Sequence, residues 1–136
     1  MNQNDENVNS PKKSLIGCTS AELVEAIKEA LDSKKGEDIK IIKIDRKAAI
    51  ADYFVLCSGS SNTHVQALAR ELEFLLGQVD IKPAHVEGKD NNSWILIDYS
   101  NVIVHIFSYE ARDFYNIERL YTENGHIIEE NTTTEE

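Results

Sequence analysis

The chain has 136 residues, of which 41% are hydrophobic and 28% charged, and its formal net charge is −10. This length predicts a single domain whose core needs neither a disulfide nor a metal. The acidity disfavours direct binding to nucleic acid, because phosphate backbones would repel the chain, and it favours a basic protein partner.

Cysteine usage and the chain ends predict a soluble cytoplasmic protein. Cys18 lies near a polar N-terminal segment and Cys57 in an apolar strand, so no disulfide framework is indicated. The N-terminal segment resembles neither a secretory signal nor a transit peptide. No apolar run approaches the ~20 residues of a membrane span, so we expect no membrane partner.

The first half of the chain predicts a helix, two strands and a second helix. Thr19-Ser20-Ala21-Glu22 is a capping box that should start the first helix, and Gly36 suits its stop. Strands should follow at 39–44 and 53–57, joined by a turn at 46–51. The second strand is continuously apolar, so we expect cover on both faces. The second helix opens at Gly59-Ser60-Ser61-Asn62 and carries an apolar stripe, namely Val65, Leu68, Ala69, Leu72, Leu75 and Leu76.

The second half predicts a short strand at 84–87, a polar loop, a hairpin of two apolar strands and a helix with Ser108 as its N-cap. The order α-β-β-α-β-β-β-α indicates one α/β (α+β) domain with a mixed five-stranded sheet and about three helices. We assign this domain to residues 18–122. A disordered N-terminal tail at 1–17 and an acidic C-terminal tail at 123–136 should flank it.

The hairpin should have two unlike faces. If Ser100-Asn101 or Tyr99-Ser100 forms a two-residue turn, one face is aliphatic, with Ile95, Ile97, Val102, Val104 and Ile106, and with Tyr99 at its end. The other face is mixed, with Trp94, Leu96, Asp98, Ile103, His105 and Phe107. Two interpretations of the mixed face stay open. A helix covers it and His105 is hydrogen-bonded, or the part near Trp94 and the turn is a docking surface, since Trp is enriched at binding hot spots.

The sequence does not indicate a complete catalytic or metal-binding site. Gly59-Ser60-Ser61 could hold a phosphate at a helix N-terminus, but no Asp-x-Asp pair follows it to bind Mg²⁺, so a plain turn with a serine cap is favoured. His85 and Glu87 could supply half of a metal site, with no third ligand visible. We therefore expect no enzyme activity, no cofactor and no metal.

Three further side chains have ordinary interpretations. Cys57 should be a buried structural thiol. Arg112 and Arg119 lie seven residues apart, and we predict that they are surface charges on one side of the last helix. Lysine and arginine are scattered along the chain, so no nucleic-acid footprint is indicated.

Several segments follow one another in a specific order, namely Ala51–Ser61, His64-Val65, Glu87-Gly88, Trp94–Tyr99, Val102–Phe107, Arg112–Tyr115 and Leu120-Tyr121. In this order they resemble the ribosomal silencing factor family, also called Iojap or RsfS. The resemblance extends from about Thr19 to Tyr121. Ser100-Asn101 stands where the family usually has Gly-Asp, and Tyr121 where a Trp is common.

The resemblance implies a nucleotidyltransferase-like fold without catalytic acids. It also implies a translational repressor that binds the large ribosomal subunit through ribosomal protein L-fourteen and sterically blocks joining of the small subunit when nutrients are scarce. The partner contacts carried over on the matching motif are Trp94, Leu96, Asp98 and Tyr99, with Ser100 and Asn101 at the turn. Trp94 would be the apolar anchor, and Asp98 could pair with a lysine or arginine. The alternatives are a nucleotide-binding transferase using Gly59–Ser61 and a homodimer formed through the hairpin.

Overall fold

The computed structural model describes residues 13–44, 51–90, 93–119 and 127–132. The predicted turn at 46–51, part of the polar loop before the hairpin, and Leu120-Tyr121 lie largely or wholly outside these residues. The elements in chain order are α1 (Ser20–Ser33), β1 (Glu37–Ile44), β2 (Tyr53–Gly59), α2 (Asn62–Gly77), β3 (His85–Glu87), β4 (Trp94–Asp98), β5 (Val102–Ser108), α3 (Tyr109–Tyr115) and β6 (Ile127–Thr132).

One mixed sheet contains all of the strands in the described residues, in the order β3-β4-β5-β2-β1-β6. β2 and β5 run parallel, and the other neighbouring pairs are antiparallel. The predicted fold class and its five strands are confirmed. β6 is an additional strand that pairs with β1 inside the segment predicted as an acidic tail. The limits of the domain and tails stay a prediction.

Helix α1 begins as the capping box predicts. The Thr19 hydroxyl accepts from the Glu22 amide at 3.1 Å, and the Glu22 carboxylate accepts from the Thr19 amide at 2.9 Å. The helix ends differently from our prediction. Lys35, with φ 62°, adopts the left-handed conformation, while the Gly36 amide bonds the Leu31 carbonyl at 2.9 Å.

Gly36 is required for a different reason, which is close packing. A Cβ atom at Gly36 would lie 2.5 Å from the Cys57 sulfur on β2, a distance at which something must shift. The glycine therefore lets the chain after α1 pass directly over the second strand.

The two sides of the sheet carry cores of unequal size. The larger core lies between the sheet and helices α1 and α2. It includes the predicted apolar stripe of α2, of which Leu75 is partly buried, and the buried residues of α1, namely Leu23, Val24, Ile27, Ala30 and Leu31. The smaller core lies on the opposite side, where α3 packs against β5 and β2. Its buried members are Ile42, Ile44, Ala51, Phe54, Leu56, Ile103, Phe107 and Ala111. Strand β2 is buried on both faces, as its continuous apolar run predicts. Within the described part of the chain, no helix is both long enough and apolar enough to span a membrane.

Candidate functional site

The hairpin has the predicted register. Trp94 pairs with Phe107 and Asp98 with Ile103, and the Tyr99 amide donates to the Val102 carbonyl at 2.9 Å. Ser100-Asn101 is therefore the two-residue turn, and the assignment of side chains to two faces is confirmed.

The aliphatic face of the hairpin is buried in the larger core. Ile95, Ile97, Val102, Val104 and Ile106 are all buried there together with Tyr99. The Tyr99 hydroxyl has no hydrogen-bond partner among the described residues. Burial, and secondarily the charge of Glu73, raise the pKa of Tyr99 well above its ordinary value. The structure thus gives the Tyr99 ring a supporting position beneath the turn.

The mixed face divides between its two strands. On β5 the side chains of Ile103, His105 and Phe107 are buried, whereas on β4 those of Trp94, Leu96 and Asp98 are partly exposed. The first interpretation therefore holds for the β5 side, while docking on the β4 side stays a prediction. α3 and its neighbours cover the β5 side, and the β4 side stays accessible.

Trp94 lies in an aromatic cluster on the accessible side. Its ring centroid is 4.5 Å from that of Tyr115, 5.6 Å from that of Phe107 and 5.8 Å from that of His105. Its indole N–H donates to Nδ1 of His105 at 3.1 Å. This hydrogen bond occupies Nε1, the only polar side-chain atom of tryptophan, so the polar edge of the indole points towards the buried histidine.

Helix α3 extends this accessible apolar surface. Ser108 caps the helix as predicted, its hydroxyl accepting from the Ala111 amide at 3.1 Å. Phe114 is 79% exposed and Tyr115 51% exposed, and their ring centroids are 4.9 Å apart. We call Trp94, Leu96, Phe114 and Tyr115 the aromatic patch. The aromatic residues of α3 can be seen in the sequence, but the sequence did not show that Tyr115 packs against Trp94 or that Phe114 is exposed next to Tyr115.

The turn forms the polar end of this site. Ser100 and Asn101 are exposed, and the Asp98 carboxylate accepts from the Ser100 amide at 2.7 Å. The Asn101 carbonyl accepts from the amides of Asp52 and Tyr53 at 2.7 and 3.2 Å. Ser100 has φ 75°, a conformation that suits glycine better than serine. The backbone at this position therefore matches the Gly that the family usually has there.

Arg112 is not a surface charge, so our prediction for it was wrong. Its side chain is 12% exposed, and Nη1 donates at 2.8 Å both to the Ser58 hydroxyl and to the Asp38 carbonyl. The guanidinium also donates to Glu118 from Nε at 3.2 Å and from Nη2 at 3.3 Å. α3 ends at Tyr115, so Arg119 does not share its helix.

The carboxylate of Glu118 also forms an ion pair with Lys40, whose Nζ lies 3.0 Å from Oε2 of Glu118. Burial would raise the pKa of Glu118, but the hydrogen bonds from Arg112 and Lys40 outweigh burial and lower the pKa. This cluster ties α3 to β1 and β2, on the same side of the sheet as the aromatic patch.

The turn at Gly59-Ser60-Ser61 is a helix cap, as favoured. The Ser61 hydroxyl accepts from the His64 amide at 3.1 Å, and the Ser60 amide donates to Nδ1 of His64 at 2.9 Å. Because Nδ1 accepts, Nε2 of His64 carries the proton and donates to the Lys34 carbonyl at 2.8 Å. The polar groups of this turn are thus used to join the start of α2 to the end of α1.

The remaining candidates for chemistry are accounted for by local contacts. Cys57 is fully buried as predicted, and burial raises its pKa to about 12. His85 and Glu87 bond each other at 2.7 Å across exposed positions of β3. In the part of the chain that the structure describes, no three His, Cys, Asp or Glu side chains lie together as metal ligands.

Comparison with known proteins places this architecture in one family. The model of the family described as "Ribosomal silencing factor during starvation" matches residues 18–136. The ribosomal silencing factor RsfS of Bacillus subtilis is 38% identical over 92 residues, which cover 68% of this chain and 78% of that protein. A crystal structure of a Chromobacterium violaceum protein superposes with a TM-score of 0.74 at 29% identity, covering 76% of this chain and 87% of that one.

The name of a more distant relative also refers to the ribosome. The mouse protein named "Mitochondrial assembly of ribosomal large subunit protein 1" is 26% identical over 102 residues, which cover 73% of this chain and 45% of that protein. The fold and these matches define a ribosome-associated regulator of translation. The chain belongs to the ribosomal silencing factor family.

Proposed function

We propose that this protein lowers translation in the cytoplasm by binding the large ribosomal subunit through ribosomal protein L-fourteen. Bound there, the folded domain would occupy the surface that the small subunit must approach, so it would block subunit joining by sterics and without turnover. Family membership supports the ribosomal target, and the name of the mouse relative supports the large subunit.

The observation that carries the proposal is the aromatic patch. Exposed large apolar side chains that lie next to one another commonly mark an interaction surface. Trp and Tyr contribute most at such surfaces because they bury a large area at a small cost in side-chain entropy. Trp94 would be the anchor, with Leu96, Phe114 and Tyr115 extending the contact area.

The rim of the patch suits a basic partner. Asp98 is partly exposed, and the exposed residues Ser100 and Asn101 lie next to it on the turn. The whole chain is acidic, with a net charge of −10. Charge complementarity of this kind guides association and fixes orientation more than it adds affinity.

Co-sedimentation with purified large subunits tests the docking surface. We expect Trp94→Ala to weaken retention by about tenfold or more, as for a central aromatic anchor. Phe74→Ala is the matched control, because Phe74 is also 61% exposed but lies on α2, against the opposite face of the sheet. Equal losses from both substitutions, or no loss from either, would remove the aromatic patch as the site.

Subunit joining tests the mechanism separately. Large subunits loaded with the protein should form fewer joined ribosomes with added small subunits than unloaded ones do. Normal joining by loaded subunits would contradict the proposed steric block, even if the protein still bound the large subunit. Sedimentation of the free protein at several concentrations tests the predicted homodimer, which would compete for the same hairpin.

A further inference from the structure

The indole of Trp94 donates a hydrogen bond to a buried histidine. Trp94 and His105 lie on neighbouring strands, and the indole N–H donates to Nδ1 of His105 at 3.1 Å. His105 is only 5% exposed and lies on the buried side of the mixed face. The hydrogen bond therefore joins the proposed anchor to a strand that is buried along its whole length.

The geometry defines the state of the imidazole. Because Nδ1 accepts from Trp94, a neutral ring must carry its proton on Nε2. Nε2 is buried and has no hydrogen-bond partner among the described residues. Phe54 and Phe107 flank the ring, with centroids 5.2 and 6.0 Å away. Trp94 thus supplies the one hydrogen bond that this imidazole makes in the described structure.

The bond has a consequence for the outer surface. A buried indole N–H without an acceptor is costly, so the ring would turn until the N–H reached water. With His105 as acceptor, the N–H stays inside and the carbon edge faces outward. An anchor fixed in this way loses less rotamer freedom on binding.

We propose that His105 is a positioning residue for docking, which holds the indole of Trp94 so that a partner meets a pre-organised apolar edge. The role rests on the proposed function of the aromatic patch, but the hydrogen bond itself can be tested in the free protein. His105 makes no contact with the partner in this scheme and acts through Trp94 alone.

Nuclear magnetic resonance on the unmodified protein gives the first test, because the chain contains one tryptophan. The ¹⁵N shifts of the His105 ring should show an accepting Nδ1 and a protonated Nε2. The single indole N–H should exchange with solvent slowly. A proton on Nδ1, or an indole N–H that exchanges as fast as a free one, overturns the proposal without any substitution.

Two substitutions give the second test. His105→Asn can place an amide oxygen near the position of Nδ1, whereas His105→Leu removes the acceptor. We expect indole exchange to accelerate about tenfold or more in His105→Leu and to stay near the original rate in His105→Asn, by the cost of an unsatisfied buried donor. Unchanged indole exchange in a folded His105→Leu protein contradicts the assignment.

Binding to large subunits then separates the two proposals. If His105 positions the anchor, His105→Leu should weaken binding by about fivefold to tenfold and His105→Asn by much less, as expected for lost pre-organisation. If Trp94→Ala has no effect on binding, the proposed function fails while the indole result still stands. If Trp94→Ala weakens binding and a folded His105→Leu protein binds normally, the positioning role fails and the docking surface stands.

Discussion

At His105, hydrogen bonding and burial both favour the neutral ring. Nδ1 must remain unprotonated to accept from Trp94, and the neighbouring side chains are aromatic or aliphatic. Burial lowers the pKa of His105 from 6.5 to about 4. A proton on Nδ1 would both break the bond to Trp94 and place a charge inside an apolar cluster.

This pKa predicts how stability depends on pH. The unfolded chain takes up a proton near pH 6.5 and the folded protein only near pH 4, so stability present above pH 6.5 is lost as the pH falls towards 4. The shift corresponds to about 3 kcal/mol. Urea unfolding at pH 7, 5.5 and 4.5 would measure the loss. His105→Asn does not titrate, so it should lose less over the same range, and equal losses in both proteins would contradict the prediction.

Ser100 is a second residue whose local conformation makes a prediction. Its φ of 75° costs a serine about 1 kcal/mol, and glycine would remove this strain. Glycine also makes the unfolded chain more flexible, which cancels part of that gain. Ser100→Gly should therefore stabilise the protein by about 0.5 kcal/mol and raise Tm by about 2–4 °C. Asn101→Gly is the control, because Asn101 has no positive φ and the same change should destabilise. A lower Tm for Ser100→Gly would contradict this account of the turn.

At the scale of elements, α3 is too short to be stable by itself. Seven residues make about two turns, and isolated helices of that length are marginal in water. Its cap at Ser108 and its buried Ala111 hold the start of the helix. Arg112 holds the rest through Ser58, Asp38 and Glu118. The position of Phe114 and Tyr115 therefore depends on this arginine.

Arg112→Met should destabilise the protein by about 3 kcal/mol, because it removes the guanidinium that donates to the partly buried carboxylate of Glu118. Arg112→Lys should recover only part of the loss, since an ammonium cannot reproduce the fork of a guanidinium. Urea unfolding measures both changes. In a double-mutant cycle, Glu118→Gln should cost less in the Arg112→Met protein than in the original one. Additive costs would show that the two side chains are not coupled.

The hairpin was predictable because its information is local. Side chains alternate with period two, and a two-residue turn fixes the register, so Trp94 and His105 could be assigned to one face before the structure was known. The cap at Thr19 and the cap at Ser108 were predictable for the same reason. Each depends on residues within three positions of one another.

The environment of Arg112 was not predictable, because its partners come from distant parts of the chain. Ser58 is 54 positions away, and Asp38 offers its carbonyl from an irregular part of β1 with φ 47°. Strand β6 was missed for a related reason. Its sequence is largely polar, and what defines it is backbone pairing with the edge of β1. Pattern alone shows neither long-range contacts nor edge pairing.

At the scale of the whole molecule, the two sides of the sheet are covered to different extents. Helices α1 and α2 bury one side and supply most of the core, while the other side presents the aromatic patch beside α3. The acidic charge of −10 belongs to the chain as a whole. In the proposed docking, anchoring and attraction therefore have different origins. The anchor is a few apolar side chains, and the attraction comes from the net charge of the whole chain.

If the protein binds ribosomal protein L-fourteen as proposed, these two origins should be separable in the kinetics of binding to the purified ribosomal protein. Raising the salt concentration from 50 to 500 mM shortens the screening length severalfold, so we expect the association rate constant to fall by about tenfold. The dissociation rate constant should change much less, because the anchor is apolar and salt does not screen it. Stopped-flow mixing or surface plasmon resonance would measure both.

Single substitutions should likewise change either the association or the dissociation rate constant, depending on the side chain that is replaced. Asp98→Asn removes a charge at the rim, so it should lower the association rate constant and its dependence on salt. Trp94→Ala should instead raise the dissociation rate constant and leave the salt dependence of association nearly unchanged. An association rate that is independent of salt would show that the acidity plays no part in recognition. A salt-dependent dissociation in the original protein would show that the anchor is ionic and not aromatic.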